Sequence, residues 1–155
     1  MRRGGRASLR GFRLQREHDW LRPTPLLGRS WIMQTHRDLR AWQTARTVAL
    51  GVFRANRTFW KPAIAPAFEQ VGRAALSVQL NIAEGYAFGA SASCTRHFRI
   101  AYGSAVETAD LLELLRDLDA IPPADLAPLV RLNQECQACI AGLLKRRGDW
   151  RRPAP

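Results

Sequence analysis

Asn81 and Glu84 are the residues of this sequence that most suggest a site. They lie in a predicted helix from Phe68 to Tyr86, where a plain core helix would carry Ala or Leu. At helical spacing they continue a polar arc that contains Gln70, Arg73 and Ser77. Such an arc predicts hydrogen bonds between helices, which fix the helix register because an unsatisfied buried polar group costs about 1–3 kcal/mol.

Cysteine and histidine pairs offer a second kind of chemistry. Cys94 and His97 have C-x-x-H spacing, and Cys136 and Cys139 have C-x-x-C spacing, so together they resemble a zinc set. If the last two predicted helices fold back on each other, about 10 Å along the axis separates the pairs. We therefore expect free thiols, a hydrogen-bonded core histidine at His97, and no metal or cofactor.

No residue pattern indicates catalysis. No His follows a Glu by three residues, as a di-iron bundle would require. The sequence also lacks a P-loop and a nucleophile elbow. A protein without enzymatic activity is the expectation.

Positive charge is the third candidate feature. The chain has 24 Lys+Arg against 13 Asp+Glu, a net charge of +11, which favours polyanionic partners and nucleic acid above all. The first predicted helix has a basic stripe without acidic residues, opposite its apolar face; we expect phosphate contacts from Arg40, Arg46, Arg54, Arg57 and Lys61. A second predicted basic group ends the last helix and consists of Lys145, Arg146 and Arg147.

Four predicted helices position these residues. Their expected spans are Thr35 to Phe59, Pro66 to Tyr86, Ser91 or Ser93 to Leu118, and Ala124 to Arg147. The second helix is expected to end in a turn from Gly85 to Gly89. Strand signals are absent, and helices of similar length with short connections predict an all-α, antiparallel up-down four-helix bundle over residues 33–148.

The second and third helices are apolar on more than one side. Behind the core stripe of the second helix runs another apolar stripe, formed by Leu76, Leu80 and Ala83. The apolar arc of the third helix, from Phe98 to Leu118, is wider than one bundle core requires. Because a helix that is apolar nearly all round is usually buried on two sides, these patterns predict self-association.

The two ends of the chain are also basic. Residues 1–32 hold eight Arg and two acidic residues without helical periodicity, which predicts a disordered arm or an extension upstream of a start at Met33. Residues 149–155 form a basic tail. Three Cys without a secretion signal favour the cytoplasm, and the absence of a long apolar run predicts no membrane span.

Three phrases in the sequence resemble the S23-type four-helix bundle proteins, which are encoded in intervening sequences of bacterial 23S ribosomal RNA. The phrases are residues 36–43 (HRDLRAWQ), 81–85 (NIAEG) and 98–107 (FRIAYGSAVE). A more distant similarity is to the accessory subunit of diversity-generating retroelements. The resemblance covers residues 34–147 and implies a ring-shaped homopentamer, with RNA, DNA or a reverse transcriptase as its partner.

The resemblance also suggests partners for the polar arc. It places Ser104 and Glu107 in the companion phrase, so the expected structural network is Asn81, Glu84, Ser104 and Glu107. The alternative is a Glu84–Glu107 carboxylate pair that binds a cation or acts as acid and base. Basic residues usual around the NIAEG phrase are missing here, at Gly72 and at Tyr86–Gly89, which leaves the first helix and the chain ends as better nucleic-acid contacts.

The expected function is therefore that of a non-enzymatic, self-assembling, nucleic-acid-binding bundle, an accessory or scaffold for an RNA or a reverse transcriptase. The alternative is a structural protein–protein interaction module in which the positive charge serves solubility.

Overall fold

The computed structural model describes residues 35–148, and within them it is all-helical without strands. The helices are α1 (Arg40–Phe59), α2 (Ala65–Ala87), α3 (Ala92–Asp117) and α4 (Pro123–Arg146). Short 3-10 helices precede α1, at His36–Asp38, and α2, at Pro62–Ile64. The predicted class and the four predicted helices are confirmed, whereas the predicted arm (1–32) and tail (149–155) lie outside the described residues.

The first helix begins later than predicted because Thr35 caps a separate turn. The Thr35 backbone N–H donates to Asp38 Oδ2 at 2.9 Å, and Thr35 Oγ1 accepts from the Arg37 backbone N–H at 3.2 Å. This capping box closes one 3-10 turn, after which Leu39 is extended (ψ 122°). Helix α1 therefore begins at Arg40 rather than at Thr35.

The junction between α2 and α3 also differs from the prediction. Helix α2 continues through Gly85 to Ala87, and the turn comes at Gly89, whose φ of 61° lies in the left-handed region that glycine tolerates. Ser91 is the N-cap of α3, and its side chain accepts from the Cys94 backbone N–H at 3.2 Å.

Each helix packs against the next one in the chain, and α4 packs against α1. Between α2 and α3, Gln70 meets Glu107, whereas Ser77 meets Ser104, so residue numbers rise along one helix as they fall along the other. Buried apolar side chains from all four helices form two core clusters. Their largest fully buried members are Phe68, Ile82, Leu112, Leu115, Ile140 and Leu144.

Helical spacing places Phe53 on the apolar face of α1, but Phe53 is not a core residue. Its side chain is 46% exposed and lies over Gly72 of α2, instead of pointing into the core. None of the helices in residues 35–148 has an apolar stretch of the length and purity that a membrane span requires.

Candidate functional site

A connected group of polar side chains, the polar seam, joins α2 to α3. Asn81 Nδ2 donates to the Ser77 carbonyl at 2.9 Å and lies 3.2 Å from Ser77 Oγ. Ser77 Oγ in turn meets Ser104 Oγ at 2.9 Å. On the other side, His97 Nδ1 lies 3.0 Å from Asn81 Oδ1 and 3.1 Å from Glu84 Oε2. Both of these partners are acceptors, so His97 Nδ1 is the donor to them.

Glu107 lies outside the polar seam. It accepts a hydrogen bond from Gln70 Nε2, and the side-chain oxygen of Gln70, Oε1, accepts from Arg73 Nη2 at 2.7 Å. Ten residues of α3 separate Glu107 from His97, which is about 15 Å by helix rise. Of the four predicted network residues, the structure therefore brings together Asn81, Glu84 and Ser104. It leaves Glu84 and Glu107 too far apart to act as a carboxylate pair.

His97 differs from its prediction as a core residue. Its side chain is 21% exposed, and the ring stacks on Phe88 with centroids 5.2 Å apart and planes 15° from parallel. The sequence did carry a signal for its position. His97 and Ser104 are seven residues apart and share one face of α3, which faces the polar arc of α2.

Gly85 has a packing role that its position within α2 makes possible. A Cβ placed there would lie 2.7 Å from Phe98 Cε1 and 3.3 Å from the Cys94 carbonyl oxygen. The neighbouring Ile82 is fully buried in the core. The NIAEG phrase thus supplies a hydrogen-bonding residue, a core residue and a close helix contact, all of which hold α2 against α3.

The phrase at residues 36–43 packs against the end of α2 that follows the NIAEG phrase. The His36 ring packs edge-on against Trp42, with centroids 5.1 Å apart, and against Tyr86 at 6.3 Å. Tyr86 directly follows the NIAEG phrase, and Phe98 of the third phrase packs on Gly85. The three phrases, separated by tens of residues in the chain, therefore pack together around the end of α2.

The basic stripe of α1 is partly engaged. The helix has no acidic residue of its own, but Glu135 of α4 accepts from Arg40 Nη2 at 2.6 Å and from Nε at 2.9 Å. This contact raises the pKa of Arg40 through the side-chain hydrogen bond and the carboxylate charge. The stripe itself has no acidic residue, as predicted, but Arg40 has an acidic partner from another helix; its phosphate contact stays a prediction.

The rest of the stripe forms the basic face, defined as Arg46, Arg54, Arg57 and Lys61. All four residues are exposed, and none makes an ion pair with a described residue. The Arg46 guanidinium lies 5.6 Å from the centroid of the Trp42 ring, which orients it without neutralising its charge.

Arg147 makes contacts within the fold. Its Nη2 donates to the Gly89 carbonyl at 2.8 Å, and its guanidinium lies 5.8 Å from the centroid of the Phe98 ring. It therefore fastens the end of α4 to the α2–α3 turn, and its predicted phosphate contact stays a prediction. Lys145 and Arg146, the other two predicted contacts, are exposed.

The cysteines are free thiols. Cys94 and Cys136 are buried, and Cys139 is half-buried. Burial raises the pKa of Cys136 from 9.0 to about 12, and burial also raises the pKa of Cys94 and Cys139. Within residues 35–148, no group of three or more His, Cys, Asp or Glu side chains is arranged to hold a metal ion.

Comparisons with other proteins identify the family. Curated protein sequences contain no match to this chain. A crystal structure of a protein of unknown function from the S23 ribosomal protein family of Bacteroides thetaiotaomicron superposes with a TM-score of 0.62 at 19% identity, covering 68% of this chain and 95% of that one. The sequence profile for the 23S rRNA-intervening sequence proteins matches residues 37–142, most of the chain. The chain therefore belongs to the 23S rRNA-intervening sequence protein family.

Proposed function

We propose that this protein is a non-enzymatic bundle that self-assembles and binds RNA or DNA through the basic face of α1, with Lys145 and Arg146 as a second contact. The observation that carries the proposal is the composition of α1, which has four arginines and no acidic residue in its 20 positions. Three of those arginines, with Lys61, keep exposed charges without a carboxylate partner among the described residues. Like charges so close repel one another, and phosphate groups would relieve that repulsion.

The salt dependence of binding tests this proposal. Each phosphate contact releases counterions, so log Kd should change with log salt concentration by about 0.7–0.9 per contact. The double variant Arg54→Ala, Arg57→Ala should weaken binding to a labelled oligoribonucleotide and reduce the slope by about 1–2. Fluorescence anisotropy across a salt series measures both quantities.

Arg116→Ala provides a matched control. Arg116 is an exposed arginine on α3, but its Nε lies 3.0 Å from the Asp117 carboxylate, in an acidic stretch. Removing it should leave affinity and slope unchanged. Binding that is absent, or insensitive to salt, would overturn the proposal.

The assembly that we propose is an antiparallel up-down bundle forming a ring-shaped homopentamer. The pairing of rising with falling residue numbers between α2 and α3 supports the antiparallel arrangement. Leu76 and Leu80 are 39% and 48% exposed, which supports a subunit contact that would bury this second face of α2. The proposed role is an accessory or scaffold for an RNA or a reverse transcriptase. A cytoplasmic setting is part of the proposal because the three cysteines are free thiols.

A protein–protein module without a nucleic-acid role is the second candidate. Leu50 and Phe53 are 44% and 46% exposed, and they interleave with the arginines of α1. A mixed apolar and basic helix face suits a protein partner with an acidic, partly apolar surface. Retention of such a partner by the Arg54, Arg57 variant, together with no nucleic-acid binding by the parent, would favour this candidate.

A further inference from the structure

A cavity of about 380 Å³ lies where the end of α1 meets the connection between α3 and α4. One wall is formed by residues 58–61 and the other by residues 119–123. Trp60, in the first wall, is 49% exposed. A volume of this size is typical of small-ligand sites, and a half-exposed indole offers a stacking surface.

The walls of the cavity are fixed by the helix ends. Helix α1 stops at Phe59 because Trp60 is extended (ψ 135°) and Lys61 precedes a proline. On the other side, the Ala120 backbone N–H donates to the Leu115 carbonyl at 2.9 Å, which closes the end of α3 in a Schellman-type turn. Ala120 and Ile121 are buried, so this wall is anchored in the core.

Asp119 occupies the left-handed position of that turn. Its φ is 48°, and among the described residues it is the one non-glycine residue with positive φ. Glycine or asparagine is the usual choice there, and a strained residue on a cavity wall points to a use for its side chain. The Asp119 carboxylate can only accept hydrogen bonds, so it favours a ligand that presents N–H groups.

The cavity is continuous with the basic face. Lys61 belongs to both, and Arg57 lies in the last turn of α1, shortly before it in the chain. A nucleic-acid strand whose phosphates lie along α1 would therefore place its next base beside Trp60. Single-stranded nucleic acids are held in this way, by cations along the backbone and aromatic rings under the bases.

We propose that this cavity binds one unpaired nucleobase, stacked on Trp60 and hydrogen-bonded to Asp119, while Lys61 contacts the adjoining phosphate. The proposal rests on the nucleic-acid binding proposed above and narrows its ligand to single-stranded nucleic acid. Guanine fits best, because its adjacent ring and amino N–H groups can both donate to one carboxylate.

The test compares three labelled probes with the full chain: an oligouridylate with one central guanosine, the same strand without it, and a duplex of equal length. Trp60→Leu keeps an apolar side chain but removes the ring, so binding of both single strands should weaken about 5- to 100-fold. Duplex binding should not change. Trp60→Phe should restore most of the lost affinity, and Asp119→Asn should abolish the preference for guanosine.

Leu114→Ala is the control, because Leu114 is 45% exposed on α3 and lies outside the cavity walls. Thermal melts establish that each variant is folded. If Trp60→Leu binds the single strands as tightly as the parent while the salt slope persists, the cavity proposal is wrong and the basic-face proposal stands. If the parent binds none of the probes, nucleic-acid binding itself fails.

Discussion

At the scale of single residues, Gly85 shows why a short phrase can identify a fold. In a helix interior, glycine costs roughly 0.5–1 kcal/mol relative to alanine. Here the absence of a side chain lets the Phe98 ring approach the α2 backbone more closely than any other residue would permit. The close contact between helices outweighs the unfavourable helix propensity.

Gly85→Ala should therefore destabilise the protein, by about 1–3 kcal/mol, because the new methyl group would overlap a packed ring. Gly103→Ala is the matched control, since a Cβ there meets nothing within 4 Å and alanine is the better helix former. It should stabilise by up to about 1 kcal/mol. Urea unfolding measures both, and equal effects of the two variants would contradict this role for Gly85.

Cys136 makes a pH-dependent contribution to stability. Its pKa is about 12 in the folded protein and 9.0 for a free thiol, so folding disfavours the thiolate. The contribution is complete below pH 9 and is lost as the pH rises toward 12. Each pH unit in that window corresponds to about 1.4 kcal/mol for one group.

Cys136→Ala should consequently flatten the alkaline fall in the free energy of unfolding. The other ionisable groups are the same in both proteins, so the difference between the two pH profiles isolates the thiol. Urea unfolding should be measured between about pH 8 and 10.5, a range around the pKa of a free thiol. This range covers the start of the window and keeps the backbone intact. Parallel profiles for the parent and the variant would exclude the effect.

At the scale of elements, the polar seam sets how α2 and α3 are aligned. Asn81 satisfies groups on both helices, whereas Glu84 makes one contact, to His97, with its side chain 56% exposed. An exposed contact to a carboxylate contributes about 0–1 kcal/mol, and the loss of a part-buried amide that leaves its partners unsatisfied costs more. Asn81 therefore contributes more to the free energy of unfolding than Glu84 does.

Asn81→Ala should cost about 1–3 kcal/mol, whereas Glu84→Ala should cost less than about 1 kcal/mol. Asn81→Asp is informative beside them, because a carboxylate accepts from His97 but cannot donate to the Ser77 carbonyl. Thermal and urea unfolding give the ranking. A larger loss for Glu84→Ala than for Asn81→Ala would show that the charge, and not the amide, holds the seam.

At the scale of the whole molecule, charge and apolar surface are distributed unequally over the helices. Helix α1 has arginines without acidic residues, whereas residues 107–117 of α3 contain four acidic residues and one arginine. Apolar side chains remain exposed on α2 and α3. A molecule with unpartnered apolar stripes is suited to assembly.

Self-assembly through α2 can be tested directly. Leu76→Glu with Leu80→Glu should yield monomers, because it would place charges in the proposed subunit contact. Leu50→Glu is the control, since Leu50 is 44% exposed but lies on α1 and not on that stripe of α2. Light scattering over a range of concentrations gives the mass of each form. A monomeric parent would contradict the proposed assembly.

The sequence by itself determined the helices and the family. Helix periodicity, proline and glycine positions, and N-capping serines are local signals, so the four helices could be predicted to within a few residues. The three phrases were sufficient for the resemblance, and Ile82, Gly85 and Phe98 within them pack in the core of the fold. The capping box at Thr35 is equally local. The prediction did not include it and therefore placed the start of α1 too early.

Tertiary structure alone decided which side chains meet. Glu135 pairs with Arg40, and Arg147 binds the Gly89 carbonyl, across 95 and 58 residues of chain, so no local pattern could predict these contacts. Likewise, the seam joins Asn81 to His97 but not Glu84 to Glu107, because helix rise spaces these residues apart along a fixed register. Contacts between helices depend on register and rotation, which periodicity within one helix does not specify.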